Sequence, residues 1–518
     1  MARTTLFSFV QRALRRAHAA QHLGARPAEL ARAATARGPS RRQVLAGLAA
    51  APLVVACRPL LRGDRAPQVA IVGAGLAGLH AGYRLRQAGV RATIYDAATR
   101  VGGRMFTARG QLAGGQLCEL GGELIDSGHI TMHALARELG LPLDDLTADA
   151  AGLVADTCRF DGKLVSEAEL VAELATIAPQ LVADAAAQDR DAAALARLDA
   201  LSISGWLATV ARLPETSVAR RLLEVAYTIE FGLPADELSS INLLAMFDAT
   251  DLEPLRIFGD SDERYHVHGG SDAITTALAE RLPDQLALQH TLARVAPAGP
   301  GTDALALQFD TPSGAIEVTA DYVILALPFS TLRTVDLVSL PLPAAKRQVI
   351  AELGYGTNAK LMMQFERRVW RELGATGSAY TTDSPLQATW DTSRGQPGAY
   401  GVLTNYTGGA RGLAIGAGTA EERAREVVPW IDAVFPGAEA AYRPGSALRM
   451  HWPTHALTRG SYACYRVGQA RWAGLEAEPA GRVHFAGEHT SVEAQGYMEG
   501  AAESGARAAR EIVAALGR

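Results

Sequence analysis

The chain is short of lysine. It has three, Lys163, Lys346 and Lys360, against 47 arginines in 518 residues, so each lysine that does occur is unusually informative. Cysteine is almost as scarce, and the spacing of Cys57, Cys118, Cys158 and Cys464 matches neither a zinc site nor a disulfide framework. No Ser/His/Asp arrangement and no metal-ligand set stands out, which removes a hydrolytic triad and a metal centre from the leading readings. Internal repeats are absent, as are low-complexity linkers beyond the N-terminal segment. Outside that segment the chain lacks positive charge. Residues 1–57 carry nine arginines and one acid, Glu29, so the formal net charge of −5 leaves −13 on the remainder. An acidic body argues against nucleic acid as the partner. It suits cationic substrates, and equally a solvated acidic surface.

What is present is globular: 48% hydrophobic and 20% charged residues, in a chain long enough for two lobes. Ser40-Arg41-Arg42-Gln43-Val44-Leu45 followed by the apolar run Ala46 to Ala56 resembles a twin-arginine (Tat) export signal, since the run is too short for a confident membrane span. Val54-Val55-Ala56-Cys57 also resembles a lipobox, the alternative being an ordinary cleaved signal. The expectation is a leader over 1–65, a Tat machinery partner, and a periplasmic protein or one held to the membrane by a lipid on Cys57.

Beyond Pro67, the run Gln68 to Val72 reads as a buried strand of a parallel sheet. Gly73-Ala74-Gly75-Leu76-Ala77-Gly78 follows, then a helical stretch Leu79 to Ala88, then a strand Ala92 to Tyr95 ending at Asp96. This is a βαβ unit with G-x-G-x-x-G at its turn. Gly73 permits the tight turn, Gly75 the approach of a pyrophosphate, and Gly78 close packing of helix on strand. The helix N-terminus offers N–H groups to phosphate. Asp96, 23 residues after Gly73, is placed to accept from a ribose diol. Strand, glycines, helix, strand and acid in order point to a dinucleotide. Arg100-Val101-Gly102-Gly103-Arg104 resembles the G-G-R segment of amine oxidase-type FAD enzymes, which implies FAD, with Gly103 and Arg104 on the cofactor and Arg104 paired with pyrophosphate.

From here the sequence resembles the flavin amine oxidase family: monoamine oxidases, polyamine oxidases and L-amino-acid oxidases. The likeness runs in blocks over about residues 68–515. Glu119-Leu120-Gly121-Gly122 resembles the second glycine pair, which implies that Gly122 and Glu123 lie beside the flavin. Tyr265 to Asp272 resembles the stretch returning the chain to the FAD lobe. Thr291 to Val295 resembles the strand whose Val295 backbone meets the adenine. Ala320 to Pro328 resembles another family strand and turn. Lys360, in Gly356-Thr357-Asn358-Ala359-Lys360, falls where the family's lysine holds a water against flavin N5. Val483 to Thr490 and Gly496-Tyr497-Met498-Glu499-Gly500-Ala501 are similar to the family's C-terminal signature. That likeness implies a role for Glu488 at the ribityl or pyrophosphate region, and an N–H of Met498 directed at the flavin pyrimidine edge from a helix N-terminus. The implied fold is α/β. A Rossmann-type FAD lobe takes residues 66–145, 263–340 and 453–518, and a discontinuous α+β substrate lobe takes 146–262 and 341–452.

Trp452, Tyr462 and Tyr497 match family positions around the substrate, the two tyrosines as a cage in front of the flavin. Ser461 stands where animal monoamine oxidases attach FAD through cysteine, so the FAD is expected to be non-covalent. The implied reaction is hydride removal from the carbon next to an amine nitrogen onto flavin N5. The resulting imine hydrolyses to an aldehyde or ketone, and electrons pass to oxygen, giving hydrogen peroxide, or to a cytochrome. L-amino-acid oxidases place an arginine soon after the second glycine pair; Glu123-Leu124-Ile125-Asp126 has none. Asp126 and Glu230 are candidates for gripping a distal ammonium, or are solvated or capping acids. Three rivals remain: an amino-acid oxidase with its arginine supplied elsewhere, a desaturase or protoporphyrinogen-type oxidase, and a non-catalytic exported flavoprotein.

Overall fold

The computed structural model describes residues 66–517 apart from 149, 248, 250–255, 260 and 384. The twin-arginine segment and Cys57 lie outside the described residues.

A five-stranded sheet runs in the order 483–485, 322–325, 69–72, 92–96, 286–288, with every pairing parallel. Its central strand, Val69–Val72, is apolar and buried at all four positions, as a strand covered on both faces must be. Helix Leu76–Gln87 starts three residues earlier than the apolar pattern predicts. Its first turn is built from the glycine-rich segment itself, and Gly75 is the N-cap. This helix lies between the sheet and the C-terminal helix Met498–Ala515, and glycines set both spacings. A Cβ on Gly78 would stand 1.9 Å from the Gly73 carbonyl oxygen, and one on Gly505 would stand 2.2 Å from that of Ala77. The two helices are also tied by His80, whose Nδ1 bonds the Ala502 carbonyl at 2.7 Å while its Nε2 accepts from Arg84 Nε at 2.9 Å. Burial pushes the His80 imidazole down to about 4, so it stays neutral.

The expected strand at Thr291 extends to Pro297 and belongs to a three-stranded antiparallel sheet with 305–311 and 314–320. Ala320, expected to open the strand of Tyr322–Leu325, closes the preceding one instead.

A second, seven-stranded sheet runs 448–451, 359–365, 401–407, 388–391, 375–381, 154–160, 163–165. It is antiparallel except where 375–381 meets 154–160. The alanine- and leucine-rich region forms helices Glu167–Arg190, Ala192–Asp199, Ile203–Thr209 and Val218–Phe231. They share one apolar core through Leu174, Leu181, Trp206, Leu222 and Leu223. Helix Val218–Phe231 starts at Ser217, whose side chain accepts from Arg220 N, and stops at Gly232 with φ 77°. Where it stops matters: Glu230 stands in its last turn.

Candidate active site

One cavity of about 360 Å³ connects the two sheets. At one end it is walled by main chain: Gly73, Gly75, Gly102 and Gly103, with Asp96, Ala97 and Ala98. Asp96 accepts the Ala74 N–H at 2.6 Å on one oxygen and the Ala98 N–H at 2.7 Å on the other, so its carboxylate is held rigidly at the wall. At the opposite end stand Lys360, Trp390, Tyr406, Trp452, Tyr462 and Tyr497, with Glu230 and Glu263.

These residues fit FAD. Gly75 has φ −76°, which any L-residue adopts, and a Cβ placed there would meet no protein atom within 4 Å. Neither backbone nor packing calls for glycine at 75; the empty volume beside it does, if another molecule is to lie against the main chain. Two helix N-termini, at Leu76 and Met498, open on this cavity, and neither has a side-chain cap. Their first N–H groups and positive dipole ends are left for a ligand, which suits a pyrophosphate at one and an electron-rich ring edge at the other.

Most of the residues singled out in the sequence lie on this cavity: Gly73, Gly75, Asp96, Gly103, Arg104, Gly122, Glu123, Glu230, Lys360, Trp452, Tyr462, Glu488, Tyr497 and Met498. Gly78 does not line it and serves the close helix packing described above. Two further positions differ. Val295 is fully buried, faces Leu307 across the strand pair, and donates its N–H to the Asp336 carbonyl at 3.0 Å. The cavity wall there is His290, Thr291 and Leu292, at the start of the same strand. Asp126 is not on the cavity either. One of its oxygens accepts from Ser261 Oγ at 3.0 Å and Glu263 N at 2.8 Å, and the other meets His129 Nε2 at 3.2 Å. It is an internal clamp on segment 261–263, which carries the lining residue Glu263.

The polar partners refine several expectations. Arg104 Nη1 bonds Glu488 Oε1 at 2.9 Å and the Ser461 carbonyl at 2.6 Å, so its charge is already paired within the protein. Glu488 also accepts from the Gly496 and Ala463 N–H groups, which welds the C-terminal signature to the segment carrying Tyr462. Lys360 donates to the Gly121 carbonyl at 2.8 Å, the Glu119 carbonyl at 3.2 Å and Glu123 Oε2 at 2.8 Å. Three N–H groups meet three protein acceptors, which leaves no hydrogen for the water that the resemblance implies. Burial works to raise the Glu123 carboxyl, but the adjacent Lys360 outweighs it and holds the group below its ordinary value.

The tyrosine walls are anchored differently. Tyr497 donates to Glu230 Oε1 at 2.6 Å. Tyr462 donates to main-chain oxygens, Glu230 O at 2.6 Å and Ile229 O at 3.2 Å, and its hydroxyl also meets that of Tyr406 at 3.0 Å. With Asn358 Nδ2, which reaches Ile229 O at 2.6 Å, it satisfies carbonyls that the end of helix Val218–Phe231 leaves unpaired. Burial first, then the neighbouring Tyr406 and Glu230, push the Tyr462 phenol well above its ordinary range, so it remains a donor. Sequence reasoning missed Tyr406, Trp390 and Glu263. Tyr406 and Trp390 pack edge to face at 5.2 Å on adjacent strands. Glu263 carries φ +43°, a strained value for a non-glycine residue. Only the rarity of tryptophan, six in the chain, could have drawn attention to Trp390.

The cavity and its two helix ends define a dinucleotide-binding flavoprotein. A model of the family "Flavin containing amine oxidoreductase" matches residues 76–513. "Amine oxidase [flavin-containing] B" of Sus scrofa is 24% identical over 473 residues, covering 87% of this chain and 86% of that protein. "L-amino-acid oxidase" of Mus musculus is 26% identical over 463 residues, covering 88% and 72%. The solved structure of putrescine oxidase bound to putrescine is similar with a TM-score of 0.71 at 24% identity, covering 87% of this chain and 99% of that one. The chain belongs to the flavin-containing amine oxidoreductase family and is an FAD-dependent oxidoreductase.

Proposed function

We propose that this enzyme is an amine oxidase that binds FAD non-covalently and oxidises a cationic amine rather than an amino acid. The observation that carries this reading is the charge at the tyrosine end of the cavity. Glu230 stands there between Tyr497 and Tyr462, while two of the cavity's cations, Lys360 and Arg104, are already paired with protein carboxylates. Lys360 is paired with Glu123, Arg104 with Glu488, and Arg100 bonds the carbonyls of Val101 and Gly103. Lys360 has all three hydrogens engaged and Arg104 already carries the Glu488 carboxylate, so neither brings an unbalanced positive charge to a substrate carboxylate. An ammonium is drawn to the aromatic faces of Tyr462 and Tyr497 and to the negative charge of Glu230, whose Oε1 is held by Tyr497.

The FAD, when bound, supplies the hydride acceptor for the carbon next to nitrogen. The protein's part is to exclude water, orient the amine between Tyr462 and Tyr497, and bind a second positive group at Glu230. The imine product then hydrolyses to an aldehyde or ketone, with oxygen or a cytochrome taking the electrons. Non-covalent attachment is supported by Ser461, whose Oγ is engaged with Asn358 Oδ1 at 2.6 Å, and by the absence of cysteine from the cavity lining among the described residues. Export by the Tat route, with or without a lipid on Cys57, completes the proposal; it rests on the Ser40–Cys57 pattern alone.

The test is anaerobic mixing of the leaderless holoprotein with putrescine, a simple monoamine and a set of L-amino acids, following the flavin absorbance. Bleaching by amines, fastest with the diamine, is the expected result. Bleaching by amino acids alone overturns the reading in favour of an amino-acid oxidase. Flavin that no amine or amino acid bleaches leaves the desaturase-type or non-catalytic readings. Admitting air afterwards separates oxygen from another acceptor.

A further inference from the structure

Of three lysines in the chain, Lys360 is the one that lines the cavity, and a lone buried ammonium there would be costly. Glu123 meets it at 2.8 Å, and both side chains are buried. The carboxylate is not loosely held. Its other oxygen accepts from Trp390 Nε1 at 3.0 Å and from Thr392 Oγ1 at 3.2 Å. The Trp390 ring lies 5.2 Å from Lys360 Nζ. The two carbonyls that take the remaining hydrogens, Glu119 O and Gly121 O, sit on the same segment as Glu123. That segment is pinned in turn by the Glu119 carboxylate, which accepts from Thr107 Oγ1 and Ser271 N and pairs with His266. Lysine and glutamate thus form a closed couple on the cavity wall, with every donor and both acceptor oxygens assigned.

We propose that Glu123 is a positioning residue of the redox site: it fixes Lys360 as half of a neutral pair, so that the cavity is bordered by a balanced couple rather than by a lysine with a hydrogen to spare. This rests on FAD occupying the cavity. It does not depend on which amine is oxidised, so its failure is separate from failure of the amine reading. The physical consequence is electrostatic. In a site shielded from water, a single charge beside a redox group shifts its tendency to take electrons, positive charge favouring uptake and negative charge opposing it. A pair whose charges cancel leaves that tendency near neutral balance.

The experiment measures the midpoint potential of bound flavin by dye-coupled reduction, without substrate, in purified wild type, Glu123→Gln, Lys360→Met and the double variant. The expected result is a shift to more positive potential in Glu123→Gln, a shift to more negative potential in Lys360→Met, and a return towards wild type when both are present. Melting temperature is recorded in parallel. A residue that merely supports the fold would change melting without sign-opposed shifts of potential, and that pattern overturns the proposal. So do single shifts of the same sign, or a double variant whose potential stays as far from wild type as that of either single variant. If Glu123→Gln does not accumulate as folded holoprotein, Lys360→Met against the double variant decides: recovery of potential supports the couple, and no recovery overturns it.

Discussion

Around the parallel sheet the cavity wall is mostly main chain; around the seven-stranded sheet it is mostly side chain. In the first region, glycines at 73, 75, 102 and 103 bring backbone to the surface of the cavity, and helix ends supply donors. In the second, Lys360, Tyr380, Trp390 and Tyr406 project from four different strands, and Glu230 from a helix end. A main-chain site tolerates no side chain where the ligand lies but is indifferent to much of what surrounds it. A side-chain site depends on distant segments meeting, and each member is replaceable.

The sharpest test of that contrast lies within the main-chain region. Gly78→Ala places a methyl 1.9 Å from a backbone oxygen and should cost about 3 kcal/mol or more, lowering both melting temperature and FAD content. Gly75→Leu, where no protein atom stands within 4 Å of the new Cβ, should leave the apoprotein's melting within about 0.5 kcal/mol of wild type while FAD occupancy collapses. If both variants lose stability equally, the distinction between packing and ligand glycines fails.

The next effect is a pH dependence of the same region. His80, buried and pushed down to about 4, is neutral when folded and takes a proton more readily when unfolded. Its contribution is present above pH 6.5 and is lost as pH falls from there towards 4. The loss is about 3 kcal/mol over that window. Denaturant titrations of wild type and His80→Asn at pH 7 and pH 4.5 should show a smaller acid loss in the variant.

In the side-chain region, Glu230→Gln keeps an acceptor for Tyr497 and removes only charge. The catalytic efficiency for a diamine should fall by about 10- to 100-fold, and that for an amine without a second positive group much less. Equal losses on both would remove Glu230 from the recognition of charge. Smallest is Tyr462→Phe, which deletes bonds to Glu230 O and Tyr406 while keeping the ring. It should cost about 1 kcal/mol of stability, with steady-state turnover changed less than stability suggests.

The same contrast explains what was legible in advance. Main-chain binding requires glycine at fixed spacing, so 73, 75, 78 and 103 could be read with their reasons, as could the helix opening at Met498. The side-chain wall was legible only where a residue stood inside a motif, as Tyr462 and Tyr497 do. Trp390 and Tyr406 lie in strands whose patterns say only that they are strands. At Val295 the difference is one of register along the expected strand: its N–H is taken by the Asp336 carbonyl, and the cavity passes three residues earlier. Asp126 and Glu123 stand in one tetrapeptide, yet one is an internal clamp and the other faces Lys360. That difference is fixed by partners at 261–263 and at 360, far along the chain, which no local pattern carries.

The way Tyr462 is tethered has a further consequence for how such a pocket diversifies. Its hydroxyl grips the carbonyl of residue 230, a group that every amino acid possesses. The Tyr462 wall is therefore blind to the identity of the side chain at 230, as the Tyr497 wall is not. Exchange of that one residue re-tunes the charge of the pocket and releases Tyr497 from its carboxylate anchor, while the Tyr462 wall keeps its place, so one side of the aromatic cage evolves with substrate preference and the other with the fold.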